Sequence, residues 1–163
     1  MNTKAARQLK DTPVDVKLEL SALWIAMLFV FAYVDIFGFY RADVLEAALN
    51  GTVGTTGWAV NQVFLTSTLI FIAIPSLMVA GSLLLTPRVN RVVHLVVAPL
   101  YVISIIASCL GEEWAYYLIG SAMEVVLLLA IVRTAWTWPA PVEVTSSTPA
   151  RHVRPAAPVG TQG

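Results

Sequence analysis

Two carboxylic acids lie inside apolar stretches of this sequence, where a charged side chain is costly. Asp35 lies in "FVFAYVDIFGFY", residues 29–40, and Glu124 lies in "GSAMEVVLLL", residues 120–129. A carboxyl group in such surroundings can bind and release a proton, or bind a cation in its ionised form. These two residues are therefore the first candidates for chemistry in the chain.

Hydroxyl groups recur at helical spacing on the other apolar stretches. Side chains three, four or seven residues apart share one face of an α-helix. Ser104 and Ser108 share a face in this way, and so do Tyr117 and Glu124. The candidate ligands for a proton, a cation or a cationic solute are Glu124, Asp35, Tyr117, Ser104, Ser108, Thr66 and Ser121. Alternatively, each hydroxyl only permits close packing or bonds its own backbone.

Other kinds of site find little support in the composition. The single cysteine, Cys109, excludes an internal disulfide and a cysteine-based metal site, and two histidines are too few for a histidine-rich one. Ten basic and ten acidic residues give no basic footprint for nucleic acid. No P-loop, GxGxxG or HExxH motif is present. We therefore expect no metal and no cofactor.

The same composition places the chain in a membrane. Hydrophobic residues make up 58% of it and charged residues 12%, with a mean hydropathy of +0.76. A soluble domain carries roughly 25% charged residues. The expected partners are the lipid bilayer and either a second copy of the chain or another membrane protein.

Four segments are long and apolar enough to cross a bilayer, and lipid requires each to be helical. Short connections make neighbours antiparallel, so we predict an all-α, up-down bundle of four transmembrane helices. The predicted spans are residues 18–40, 62–85, 91–110 and 114–136, within a domain of residues 18–138. "TPVD" at residues 12–15 indicates a helix start with Thr12 as its cap, and Asn50-Gly51 indicates the end of a short helix in the first loop.

The two ends of the chain lie outside that domain. Residues 1–17 form a predicted cytoplasmic segment, and residues 139–163 are Pro-rich with almost no large apolar side chain, which predicts a disordered cytoplasmic tail. Lys and Arg beside spans favour the cytoplasm. Arg41 alone flanks the side that holds the first loop, while nine basic residues flank the other: Lys4, Arg7, Lys10, Lys17, Arg88, Arg91, Arg133, Arg151 and Arg154. We expect a multi-pass protein of the plasma membrane (the inner membrane of a bacterium) with both termini cytoplasmic.

The positions of the polar residues along the spans predict their surroundings. At about 1.5 Å per residue, Asp35 lies roughly 7–8 Å outside the midplane and Glu124 close to it. We therefore predict a polar pocket that opens outward beside Asp35, with Glu124 at its floor and neutral while the bundle is dry. Alternatively, Arg41 curls back to pair with Asp35. Arg88, Arg91 and Arg133 are expected to contact lipid headgroups.

Other features of the spans are open to two interpretations each. His94 is expected to be a polar residue of the inner interface rather than part of a proton relay. Pro75 and Pro99 lie near the midplane, where bends in their helices would either widen the bundle beside Glu124 or only aid packing.

Three stretches carry a resemblance to a known family: "YVDIFGFYR", "PRVNR" and "EVVLLLAIVRTAWTWP". Over about residues 18–139 the chain resembles a family of small four-span bacterial membrane proteins, known only as a domain of unknown function. The resemblance implies the four-span fold and no activity. We interpret the chain as a small proton- or cation-linked transport or binding protein. The alternatives are an interaction subunit or stabiliser of a larger membrane complex and, third, a membrane enzyme that acts on lipid.

Overall fold

The computed structural model describes residues 13–138, and within this range the fold is almost entirely helical. The predictions for most of the N-terminal segment and for the tail at residues 139–163 lie outside the described residues. The helices are α1 (Val16–Gly38), α2 (Ala42–Leu49), α3 (Gln62–Leu84), α4 (Pro87–Ser108) and α5 (Ala115–Trp136).

Four of these helices, all except α2, can cross a bilayer by length and composition. Each has 22 or 23 residues and a mean hydropathy between 1.9 and 2.2. At 1.5 Å per residue, 20 residues span the roughly 30 Å hydrocarbon core. The prediction of an all-α protein with four spans is therefore confirmed, and the chain is a multi-pass membrane protein by these criteria.

Two helices begin at a different residue from the one that hydropathy indicates. The prediction of Thr12 as the cap of α1 is wrong, because residues 13–15 precede the helix. The N-cap is Asp15, whose Oδ1 accepts a hydrogen bond from the Lys17 N–H at 2.8 Å. Helix α4 begins at Pro87, before the predicted start at residue 91, because proline suits the first helical turn, where its missing N–H is not needed. Hydropathy indicates the residue at which the apolar, membrane-crossing segment begins, whereas the helix itself begins at the residue that caps its backbone.

The first loop contains the short helix α2 and a small β-hairpin. Helix α2 ends at Leu49, with Asn50 as its C-cap and Gly51 at φ 73°, as the Asn-Gly pair predicts. The hairpin pairs β1 (Thr52–Val53) with β2 (Trp58–Ala59) in antiparallel register. It was not predicted, because two-residue strands are too short to show an alternating pattern.

The four long helices run antiparallel, so the molecule has two ends. The loop end carries α2, the hairpin and the turn from α4 to α5; the terminal end carries the start of α1 and the end of α5. Helix α1 packs against α3 and α5, and α5 packs against α4. Helices α3 and α4 follow each other in sequence, yet their backbones make few close contacts.

Close packing joins α1 to α5. A Cβ at Gly120 of α5 would overlap the side chain of Val34 on α1, so the absence of a side chain there lets the two helices approach. Further along the bundle, Leu20, Trp24 and Leu128 are fully buried in the core. Dispersion between such well-packed side chains is the main source of helix association in lipid.

Polar side chains, in contrast, bridge α3 and α4. Pro75 lies within α3 and has no N–H, so the carbonyl of Phe71, four residues earlier, lacks its helical donor. The Tyr101 hydroxyl of α4 donates a hydrogen bond to that carbonyl. Tyr101 therefore satisfies a backbone group that the proline leaves free, and does so across two helices whose backbones make few close contacts.

Candidate functional site

A pocket of about 530 Å³ opens at the loop end of the bundle. We call it the vestibule. Its walls come from the end of α1, the first loop, the end of α4 and the start of α5. The polar and aromatic side chains that line it are Asp35, Arg41, Asp43, Thr56, Ser108, Glu112, Tyr116 and Tyr117. A volume of this size is typical of small-molecule sites.

Three of the sequence-predicted site residues meet in the vestibule. Asp35 of α1, Ser108 of α4 and Tyr117 of α5 all line it. The Tyr117 hydroxyl donates to Ser108 Oγ at 3.0 Å, and the Ser108 hydroxyl donates to the Ile105 carbonyl at 2.8 Å. This chain of hydrogen bonds fixes two hydroxyl groups beside Asp35, which is itself exposed to the pocket.

Glu124 lies deeper in the bundle than the residues that line the vestibule. It is two helical turns beyond Tyr117 on the same face of α5 and is only 2% exposed. Among the described residues, no hydrogen-bond donor reaches the Glu124 carboxyl group. An unpaired carboxyl group in the core is expensive to ionise, so it favours a proton or a cation as partner.

Arg41 organises the mouth of the vestibule. Its Nη1 donates to both carboxylate oxygens of Glu112, at 3.0 and 3.1 Å, and its Nε and Nη2 donate to Asp43 at 3.2 and 2.6 Å. The guanidinium carbon also lies 4.7 Å from the centre of the Trp114 ring, within cation–π distance. The Arg41 side chain is only 11% exposed. It therefore ties the first loop to the turn between α4 and α5.

These contacts alter the acidity of both carboxyl partners. The hydrogen bond from Arg41 lowers the pKa of Asp43 below its ordinary value. For Glu112, partial burial acts in the opposite direction, yet hydrogen bonds from the Trp114 N–H and from Arg41 outweigh it and lower the pKa. Both carboxylates therefore stay ionised at neutral pH and hold Arg41 in place.

The engagement of Arg41 leaves Asp35 without a counter-charge. Both ion pairs in the described part of the chain involve Arg41, and neither includes Asp35. Arg41 therefore does not curl back to Asp35, which was the alternative that the sequence left open. Asp35 thus lines the vestibule without a cationic partner among the described residues.

The other predicted ligands are not part of the vestibule lining. Ser104 donates to the Tyr101 carbonyl at 2.9 Å, the local backbone bond that was the alternative for each hydroxyl. Ser121 is 5% exposed and lies one turn before Glu124. Thr66 is exposed on α3, a helix that contributes no residue to the vestibule.

The three arginines expected at lipid headgroups lie at the terminal end. Arg88, Arg91 and Arg133 are all exposed there. Arg91 Nη2 also donates to the Trp136 carbonyl at 3.2 Å, which ties the start of α4 to the end of α5. A second pocket of about 290 Å³ is lined by Arg133 and Glu19.

A second polar cluster lies in the core nearer the terminal end, and His94 is at its centre. The prediction of an interfacial histidine is wrong, because His94 is fully buried. Its Nδ1 lies 2.7 Å from the Asn90 carbonyl and its Nε2 lies 3.0 Å from Ser82 Oγ. A carbonyl only accepts, so Nδ1 of the ring carries a proton. The Ser82 hydroxyl lies between the Met78 carbonyl, to which it donates at 2.6 Å, and His94 Nε2. Asn90 Nδ2 donates to the Ser82 carbonyl at 2.6 Å.

Two atoms of this cluster have no partner within the described residues. They are Trp24 Nε1, a donor on α1, and Asn90 Oδ1, an acceptor on α4. Both side chains are fully buried. The spacing of four between Asn90 and His94 was a usable signal for this cluster in the sequence, since it places both on one helix face.

The part of the chain that the structure describes contains no cluster of potential metal ligands. No group of three or more His, Cys, Asp or Glu residues between residues 13 and 138 is placed to hold an ion. The vestibule instead combines one carboxyl group without a cationic partner, that of Asp35, with the side chains of Tyr116 and Tyr117, a combination that can bind a proton or an organic cation.

Comparisons with known proteins identify a family. A family model described as "Family of unknown function (DUF6326)" matches residues 13–145. The chain therefore belongs to this family, which confirms the resemblance to a domain of unknown function. No curated protein and no solved structure matches the chain.

Proposed function

We propose that this member of a family of unknown function binds a small cation in the vestibule and exchanges it for a proton. Asp35 is the first ligand that the cation meets, and Glu124 is the deeper, proton-bearing one. Tyr116 and Tyr117 offer aromatic faces to an organic cation, which cation–π attraction stabilises by about 0.5–2 kcal/mol. Alternating exposure of this site would make the protein a small proton-linked carrier.

One observation supports this proposal above the others: the carboxyl groups at the site lack cationic partners although an arginine is close by. Arg41 lines the same pocket, yet its donors are directed at Glu112 and Asp43. A structural role for Asp35 would be served by pairing it with Arg41. Leaving it unpaired near the membrane is costly, and such cost is typical of functional sites.

Proton exchange follows from the burial of Glu124. In the empty, dry bundle the neutral acid is favoured, because an unpaired carboxylate loses its hydration. A bound cation favours the carboxylate and releases the proton. Apparent affinity should therefore rise with pH, since fewer protons compete for the site.

The test is binding of tetramethylammonium to the purified protein in lipid nanodiscs between pH 5 and 9. We expect affinity to rise with pH in the wild type. Asp35→Asn should weaken binding at every pH, and Glu124→Gln should abolish the pH dependence, because glutamine resembles the protonated acid. Glu113→Gln is the matched control, because Glu113 is an exposed carboxylate in the turn between α4 and α5 and does not line the vestibule.

Two results would contradict the proposal. One is equal binding by the wild type and Asp35→Asn; the other is a pH dependence that Glu124→Gln leaves intact. Purification with a stoichiometric partner, and without cation binding, would favour an interaction subunit instead. A lipid-active enzyme is disfavoured because Ser82 and His94, a hydroxyl–imidazole pair in contact, are both fully buried.

We also propose that the vestibule faces away from the cytoplasm, because the basic residues concentrate at the opposite side. Single cysteines in a Cys109→Ala background test this orientation. Asn50→Cys lies at the loop end and Arg88→Cys at the terminal end, and both positions are exposed. An impermeant thiol reagent added to intact cells should label the first and not the second; the reverse pattern would overturn the orientation.

A further inference from the structure

An apolar pocket, distinct from the one beside Arg133, adjoins the vestibule on the outer surface of the bundle. This groove lies between α1 and α5 and has a volume of about 450 Å³. Its main lining residues are Phe29, Tyr33, Phe37, Tyr116, Ile119 and Met123. Both helices cross the membrane, so the groove faces the bilayer.

The groove and the vestibule share a wall. Val34 and Tyr116 line both pockets. On one side of these two residues lies the unpaired carboxyl group of Asp35; on the other lies a surface made almost wholly of aromatic and aliphatic groups. Gly120 forms part of the groove, and its lack of a Cβ allows Val34 to sit against α5. The two pockets thus form adjoining compartments of opposite polarity.

We propose that the two compartments together bind one amphipathic cation, with its charged head beside Asp35 and its apolar tail in the groove. This inference rests on the proposed function and names the class of ligand: an amine or quaternary ammonium that carries a flexible apolar chain. Such a molecule partitions into the bilayer and reaches the groove laterally, without crossing the polar mouth that Arg41 organises.

The negative charge of Asp35 beside the groove favours an amphipathic cation over the other molecules that an apolar groove can bind. A phospholipid places an anionic phosphate near its chains, and the Asp35 carboxylate that lines the adjoining vestibule would repel that phosphate. A second copy of the chain would cover the groove but leave the carboxyl groups without a counter-charge. An amphipathic cation satisfies both compartments.

The experiment separates the head from the tail. Tetramethylammonium serves as the head alone and decyltrimethylammonium as head plus tail, each titrated against protein in phosphatidylcholine nanodiscs. Met123→Trp fills part of the groove. Val126→Trp is the matched control, since Val126 is 65% exposed on the same helix and does not line the groove. Partition of the tail into the bilayer is the same for every variant and cancels in the comparison.

We expect Met123→Trp to weaken decyltrimethylammonium binding about tenfold, the change that corresponds to about 1.4 kcal/mol, and to leave tetramethylammonium binding unchanged. Val126→Trp should alter neither affinity. Unchanged tetramethylammonium binding also shows that the variant is folded; if Met123→Trp loses both ligands, Ile119→Trp takes its place.

The failure of this inference is distinct from the failure of the proposed function. If Met123→Trp and Ile119→Trp leave decyltrimethylammonium affinity intact, the tail does not occupy the groove, although cation binding stands. If neither probe distinguishes the wild type from Asp35→Asn, there is no cation site, and both proposals are wrong.

Discussion

The hydrogen bond from Tyr101 to the Phe71 carbonyl predicts a specific energetic link between two helices. Pro75 deprives that carbonyl of its helical donor, and the Tyr101 hydroxyl replaces it. Tyr101→Phe removes the hydroxyl and keeps the ring, so it should leave the carbonyl unpaired with little change in packing. The ring itself is buried and stacks near Phe71, with centroids 4.7 Å apart.

Two magnitudes bound the expected cost. A buried polar group left unpaired costs about 1–3 kcal/mol. Hydrogen bonds between membrane helices average about 0.6 kcal/mol and reach about 1.7 kcal/mol in double-mutant cycles. We therefore expect Tyr101→Phe to lower the free energy of unfolding by about 1–2 kcal/mol. Tyr33→Phe is the control, because Tyr33 is 55% exposed and its change should fall within about 0.5 kcal/mol.

A double-mutant cycle with Pro75→Ala tests the cause. Alanine restores the N–H that the Phe71 carbonyl lacks, so in this background Tyr101→Phe should cost about 1 kcal/mol less than in the wild type. The assay is reversible unfolding by dodecyl sulfate in mixed micelles, followed by tryptophan fluorescence. Equal costs of Tyr101→Phe in the two backgrounds would refute the reasoning, since they would show that the hydroxyl does not substitute for the missing amide.

Two further substitutions test the packing and the loop end. Gly120→Ala should destabilise the protein by about 1–3 kcal/mol, because its Cβ overlaps Val34, and Val34→Ala should recover most of this loss in a thermal unfolding assay. Glu112→Gln should speed hydrogen exchange in α2 at pH 7. The pKa of Glu112 is lowered in the folded protein, so the ionised carboxylate stabilises the fold above pH 4.5, its ordinary pKa, and this stabilisation is lost as the pH falls through the lowered pKa. Glu112→Gln should remove this loss of stability at acid pH. An unaltered dependence of stability on pH would refute the assignment.

The number of spans was predictable because it depends on a simple quantity, the length of apolar sequence. Each helix must be long enough to cross about 30 Å of hydrocarbon, and this leaves a clear signal. Helix starts were less predictable. Pro87 disfavours a helix interior and Arg88 is charged, yet both belong to the first turn of α4. Capping, not hydropathy, determines where a helix begins.

The orientation of each helix about its own axis was harder to predict than its position. A hydroxyl that faces lipid can bond the backbone of its own helix, so the presence of Thr66 does not show which face of α3 packs against another helix. We expected α3 to contribute Thr66 to the pocket, since its position along the span places it in the outer half of the membrane, as for Asp35. In the structure the vestibule is formed by α1, α4, α5 and the first loop, while α3 packs mainly against α1.

The role of Arg41 could not be read from proximity in sequence. Asp35 is six residues away and forms no ion pair with Arg41, whereas Asp43, two residues away, and Glu112, 71 residues away, both do. The turn between α4 and α5 places Glu112 and Trp114 beside the start of α2, where they hold the guanidinium from two sides. Only the tertiary arrangement shows that one arginine serves two other carboxylates and leaves Asp35 free.

The polar groups inside the bundle divide by whether the protein supplies their partners. Near the terminal end, Ser82 and His94 bond each other and the backbone supplies further partners, although Trp24 Nε1 and Asn90 Oδ1 have none among the described residues. An unpaired polar group is costly in lipid, so such mutual pairing stabilises the fold and needs no ligand. Asp35 and Glu124 carry the same cost without the same remedy. Under the proposed function, a cation or proton that enters the vestibule supplies the missing partner, and for this reason we propose a functional site at the loop end rather than at the better-connected histidine.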